Sequence, residues 1–295
     1  MTTKNGKMDG TSVALPYSGK SPLSVFLKVL MWVFLIFLFV YAVFPVLWLF
    51  IASLKTNAEL NASAFSIPVV PQWNNYVTAW NSSGIGRMIL NSIVISVVAT
   101  GLNVLITSMA GYAISRFDFR GNKVLHTLFT VGIMVPLNAL MVPYFILIKS
   151  LGLYDTYGGL ILVYTAIGVP ISTFIVTGFM KSIPRELEEA AVIDGASFYR
   201  RFFDVIFPLA RTGVVTAGTF QFLTCWNEFV YANLLTSSQL VRTVQLGIRY
   251  FTNQFSTDYV SMYAAIIISM IPSILAYVIF QDQIIAGLTS GAVKG

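Results

Sequence analysis

Between its charged residues the chain runs six times through 22 to 28 residues that carry at most one charge: roughly 29–54, 88–115, 127–148, 156–180, 212–236 and 259–281. About 20 apolar residues in an α-helix cover the roughly 30 Å of a bilayer's hydrocarbon core, so each run is long enough to span it. A lone strand would leave its backbone N–H and C=O groups unpaired in lipid, and the runs lack the alternation of barrel strands, so all six are expected as helices. The predicted fold class is an all-α integral membrane protein with six transmembrane helices. A soluble fold is excluded by composition. Charged residues make up 10% of the chain, against about 25% in an average soluble domain, too few to coat a water-facing surface. Pro45, Pro136, Pro143, Pro170 and Pro272 fall inside the runs, where neighbouring membrane helices re-satisfy the freed carbonyls and local kinks are expected.

The 18 Lys and Arg residues fall thirteen to one side of the six runs and five, Lys55, Arg87, Lys149, Arg242 and Arg249, to the other. Positive loops stay in the cytoplasm, so both termini are predicted there. The first run has 26 uncharged residues, more than the 7 to 15 or so of a signal-peptide core, and is expected to be retained. Residues 1–24 read as a polar cytoplasmic tail and 25–295 as one transmembrane domain. Trp73, Tyr76, Val77 and Trp80 share one helical face, which predicts a short helix at the interface with its aromatics at headgroup depth. The net charge of +6 is scattered between apolar runs, which argues against a nucleic-acid surface. With one cysteine, Cys225, and one histidine, His126, the chain can assemble neither an internal disulfide nor a Cys/His metal cluster.

The loop 181–211 between the fourth and fifth runs carries the most specific pattern. Pro184 presets φ for a first turn, Glu186, Glu188 and Glu189 place negative charge at the positive end of the dipole, and Gly195 supplies a left-handed stop. Leu187, Ala190, Ala191 and Asp194 then share a narrow face on which two alanines let another protein approach closely. Ser197 is placed to cap a second helical stretch ending at Pro208.

Glu189-Ala190-Ala191, three residues, Gly195, nine residues, then Val205-Ile206-Phe207-Pro208 resembles the EAA motif of ABC-importer permeases, with Val205 and Phe207 standing for the family's Ile and Leu. Trp226-Asn227-Glu228-Phe229, Pro71-x-x-Asn74-x-Tyr76 and the terminal Gly287–Gly295 are similar to the maltose-transporter type of inner permease subunit, so that the resemblance covers nearly the whole chain. The resemblance implies a type I importer in the cytoplasmic membrane of a bacterium or archaeon. Its assembly would be two homologous permease subunits, two ATPase subunits and an extracytoplasmic sugar-binding protein. ATP and Mg would be bound by the partner ATPases, and this chain would bind no cofactor. It further implies that Glu189, Ala190, Ala191, Asp194, Gly195 and Pro208 couple to the ATPase. Gly291, Ala292, Val293, Lys294 and Gly295 would reach between the ATPase subunits.

Glu228 is the acid placed within a run, where an ionisable side chain costs roughly 2.5 to 3.5 kcal/mol at the helix centre and calls for a partner. Counted from Arg211 at 1.5 Å per residue it lies about 25 Å along, towards the outer boundary. With Gln221, Trp226 and Asn227 it forms either a sugar-facing wall or a satisfied structural cluster that closes an outer gate. In the resembled family the sugar site lies mainly in the other permease subunit. No catalytic residues are indicated. Gly19-Lys20-Ser21 lacks the earlier glycine of a P-loop, since position 14 is Ala14, and His126 at the edge of the third run has no nucleophile to serve. The competing reading is a stand-alone secondary transporter. That class predicts several intramembrane charges and half-to-half symmetry, where one acid and no repeat are found.

Overall fold

The computed structural model describes residues 22–82, 84–251 and 258–292. Among them are no strands and fourteen α-helical segments: α1 Pro22–Ser53, α2 Asn57–Ala62, α3 Asn74–Ser82, α4 Ile85–Arg116, α5 Asn122–Gly132, α6 Met141–Ser150, α7 Tyr157–Ser182, α8 Glu186–Ile193, α9 Phe198–Arg200, α10 Phe207–Leu209, α11 Arg211–Asn227, α12 Val230–Leu235, α13 Val244–Gly247 and α14 Tyr259–Ala292. A π-helical turn, Arg201–Ile206, lies between α9 and α10. The described residues fall into two compact units, one up to residue 49 and the other from residue 50 on. In the first, α1 exposes nearly every apolar side chain it carries, as a helix solvated by lipid does.

Four helices are long and apolar enough to cross a membrane, residues 23–53, 85–116, 157–182 and 259–283, and a fifth crossing is made up if the bent pair 122–132 and 137–150 counts as one. Six crossing helices are not reached among the described residues, and two of the expected spans are broken. The third run bends by 100°. Pro136 removes a backbone donor, disfavours helix at Val135, and leaves only the short 3₁₀ turn Leu137–Leu140 before α6, whose Pro143 sits harmlessly in the first turn. The helix of the fifth run breaks after Asn227 and resumes as the short α12, Val230–Leu235, instead of running unbroken towards Thr236. At 17 residues α11 is about 25 Å long, at the lower limit for a crossing. A short helix is present there as α3, with Trp73 just before it; Trp73, Val77 and Trp80 are exposed, Tyr76 is half-buried with its hydroxyl 2.7 Å from Ser53 Oγ, and Ala79 is buried.

In the second unit α4 packs along α7, and α11 lies against both and against α14. Lipid tails are as apolar as leucine, so close approach and interhelical hydrogen bonds, not hydrophobicity, select the residues between membrane helices. The α4–α7 contact is built that way. Asn103 Nδ2 donates to Thr165 O at 2.9 Å, and Thr165 Oγ1 to Ala99 O at 3.4 Å. Gly111 leaves room for Val176 and Thr177. Gln221 of α11 closes the other side, its Nε2 donating to Tyr164 O at 2.7 Å while its carboxamide fills the space where a Cβ of Gly168 would stand.

Outside the helices a fully buried ammonium, Lys55, donates to Ser63 O, Ala64 O and Ser66 Oγ at 2.9, 3.1 and 3.2 Å, which compensates its removal from water. The contact of Gly168 with Gln221 yields a test. Gly168→Ala should lower stability by about 1–3 kcal/mol through overpacking, and adding Gln221→Ala should recover part of the loss. Thermal denaturation of the detergent-purified single and double variants measures this, and strict additivity would contradict the contact.

Candidate functional site

At the carboxyl end of α7 the chain leaves the bundle and builds α8. Arg185 O accepts from Glu188 N and Glu189 N, each at 3.0 Å, and the three glutamates of the first turn face the positive end of the dipole. The helix ends as its sequence dictates. Gly195 adopts φ +77°, its N–H donates to Val192 O at 3.0 Å, and Ala196 N donates to Ala191 O at 2.9 Å, the two bonds of a Schellman motif. Ser197 Oγ accepts from Arg200 N at 3.4 Å and starts α9. The π turn and α10, with Pro208 in its first turn, lead into α11.

The residues expected to meet a partner are on the outside of this structure. Glu189, Ala190, Asp194, Gly195 and Pro208 are exposed and Ala191 is half-buried. Around them Leu187, Val192 and Tyr199 are about half exposed or more and Ile193 is 86% exposed, an apolar tip on a polar-side loop of the kind that marks an interaction site.

Glu188 behaves differently from its neighbours and was not singled out by the sequence. It is 8% exposed, accepts a short hydrogen bond from the Tyr112 hydroxyl, and lies 3.3 Å from Arg201 Nη1 and 3.5 Å from Arg116 Nε. Phe117, Phe198 and Phe202 surround the Tyr112 ring with centroids 5.3 to 5.5 Å from its own. Its partners stand more than ten residues away on either side, so no local spacing reveals it.

At the other end of α7, the four residues proposed for a substrate path do not form one surface. Trp226 is buried with Nε1 donating to Ser269 O at 3.1 Å, and Gln221 is committed to Tyr164 as above. Asn227 is exposed, its Nδ2 on Leu223 O of its own helix. Glu228 is not inside a helix but between two. Its Oε1 accepts from Tyr231 N at 2.8 Å, and its Oε2 from Ala232 N at 2.9 Å and from the Tyr164 hydroxyl at 2.8 Å. The carboxylate thereby caps the first turn of α12, which satisfies orphan donors and favours negative charge.

Beside α12 a cavity of about 290 Å³ is lined by Asn233, Thr236, Arg242, Leu246 and Arg249. Arg249 Nη1 donates to Asn233 Oδ1 and Arg242 Nη2 to Ser237 O, both at 2.9 Å. Asp155, a non-glycine residue at φ +58°, clamps this region, its carboxylate accepting from Ser237 N at 2.9 Å and Ser238 N at 3.1 Å. Partial burial would raise its pKa, but the bonds from Ser237 and Ser238 outweigh that and hold it below the ordinary 3.8. Among the described residues no cluster of His, Cys, Asp or Glu is placed to hold a metal. Of the carboxyl-terminal segment, Gly291 and Ala292 end α14, and Val293, Lys294 and Gly295 lie outside the described residues.

Residues 103–289 match the family model described as the binding-protein-dependent transport system inner membrane component. The chain is 37% identical over 257 residues to the trehalose transport system permease protein of Mycobacterium tuberculosis, covering 86% of this chain and 93% of that protein. It is 34% identical over 259 residues to the sulfoquinovosyl glycerol transport system permease protein of Agrobacterium fabrum, covering 88% and 91%. Its fold is similar to a chain of a bacterial ABC transporter that imports the acidic polysaccharide alginate, with a TM-score of 0.79, 21% identity, and coverage of 89% of this chain and 98% of that one.

Two outcomes are expected. Glu228→Ala should cost about 1.5–3 kcal/mol, because it strips a charged acceptor from two backbone donors and a buried hydroxyl, and a melting curve in detergent reads it. A depressed carboxyl pKa stabilises fully above the unfolded value and loses that contribution as pH falls through the folded one. Proteolytic nicking at Thr236–Ser238 should therefore be constant above about pH 5 and rise below about pH 4. In Asp155→Asn it should be higher at neutral pH and flat across the range.

Proposed function

The chain belongs to the family of inner membrane components of binding-protein-dependent transport systems and is a multi-pass membrane permease, not an enzyme, and we propose that it forms half of the translocation path of an ABC importer for a sugar or oligosaccharide. The sugar class is supported by the relatives, which include permeases named for trehalose and for sulfoquinovosyl glycerol. The assembly contains a second homologous permease, two ATPase subunits that bind ATP and Mg, and an extracytoplasmic sugar-binding protein.

The observation that carries the mechanism is α8. It begins on three glutamates, is stopped by the Gly195 turn, is exposed on the face bearing Leu187, Ala190 and Asp194, and is tipped by Ile193. A rigid knob of this shape fits a cleft in a partner, and a rigid-body rotation of that partner moves whatever the knob is fixed to. Glu189, Ala190, Ala191, Asp194, Gly195 and Pro208 are the proposed ATPase-coupling residues, and Gly291–Gly295 a second ATPase contact. At the opposite end Asn227 and Glu228 border the path, while Gln221 and Trp226 support them from within. Both termini lie in the cytoplasm, on the side with thirteen of the 18 basic residues.

Gly195→Asp puts a Cβ at a left-handed φ and a carboxylate at the negative helix end, and Ala190→Arg places bulk and charge on the docking face. Both variants should insert normally yet lose ATPase co-purification at least tenfold. Wild-type assembly in both would reduce α8 to a connector. For orientation, a cysteine at Ser237 should react with a membrane-impermeant maleimide on intact cells and one at Ser182 should not; the reverse pattern would overturn the assignment.

A further inference from the structure

The chain joins α8 covalently to two membrane helices. Upstream the link to α7 is only three residues, 183–185, whereas downstream a glycine turn, α9, the π turn and α10 precede α11. A third connection is not covalent. Glu188, on the face of α8 opposite the exposed one, holds Tyr112 and Arg116 in the last two turns of α4 and Arg201 at the start of the π turn. Arg116 extends the junction, because its Nη2 also donates to Ile183 O at 3.0 Å, the residue that caps α7. One carboxylate thus gathers the end of α4, the end of α7, α8 and the segment leading to α11.

We infer that Glu188 is a positioning residue that fixes the proposed coupling helix to α4, so that displacement of α8 enters the bundle through α4 and the α4–α7 seam and not only along the chain. The inference rests on the coupling role proposed above. Its physical basis is the cost of separation. Arg116 and Glu188 have side chains only 3% and 10% exposed, and pulling one partner from a buried pair leaves an uncompensated charge in a poorly solvated place. The Tyr112 hydroxyl would be stranded as well, inside a ring of Phe117, Phe198 and Phe202. A helix held so cannot slide across the end of α4 in small steps; it carries α4 with it.

The test compares hydrogen exchange in the complete transporter, nucleotide-free and trapped with Mg-ATP and vanadate. Two segments are read, residues 184–195 across α8 and 109–117 at the end of α4. In wild type both should change together. Glu188→Gln keeps the size and an acceptor for Tyr112 but removes the charge that holds the two arginines. It should leave the docking face, ATPase co-purification and the α8 response intact while the α4 response falls by half or more. Glu188→Asp, which keeps the charge, should restore part of that response. A wild-type α4 response in Glu188→Gln would overturn the inference, since a residue that merely packs would behave that way. If Glu188→Gln prevented assembly, Tyr112→Phe, which removes one hydroxyl, must reduce the α4 response by itself, and an unchanged response there would overturn it equally. An α8 segment that fails to respond in wild type would refute the coupling reading, a result distinct from loss of the α4 response alone.

Discussion

The spacing between α4 and α7 is set by small and polar residues packed among apolar ones, and α11, which in turn carries α14, is placed against both helices. Two lipid-solvated helices gain little from burying apolar surface against each other, so their separation is set by how closely their backbones can approach and which donors they share. Ala99, Asn103 and Gly111 meet Thr165, Val176 and Thr177 across this seam. The same logic admits α11, whose Gly213 leaves room for the Phe179 ring and whose Gln221 enters the notch at Gly168.

Three of the acids outside that seam are used alike. Glu59 closes a capping box with Thr56 and also accepts from Val69 N, bonds that lower its pKa. Asp155 accepts from the amides of Ser237 and Ser238, and Glu228 from those of Tyr231 and Ala232. In a chain with 12 acidic residues, these carboxylates serve orphan backbone donors at the ends of short segments. Such groups let a chain turn sharply near a bilayer without leaving N–H groups bare.

The apolar runs were legible because length without charge is a direct requirement of crossing lipid, and α8 was legible because its start and stop signals are local: three acids, then Gly195. Continuity was not legible. Charge-free length marks where a segment lies but not whether its helix is broken, and the bend after Gly132 and the stop at Asn227 depend on Pro136 and on a carboxylate turning to cap the next segment. Pro170 shows why proline alone is a poor guide, since it sits within the unbroken α7. Glu188 was hidden for another reason. In sequence it is one of three similar acids in a first turn, and only the return of α4 to the same place, 76 residues upstream at Tyr112, distinguishes it from Glu186 and Glu189.

The π turn at Arg201–Ile206 has a consequence of its own. A π turn holds one residue more than the α-helix it interrupts, so it works as a stored insertion. The turn widens locally to take that residue up, so the segments on either side keep nearly the facing they would have in a regular helix one residue shorter. The stretch between α8 and α11 thus holds one residue of slack, like a spare link in a chain, beside the place where Glu188 meets Arg201 and the end of α4.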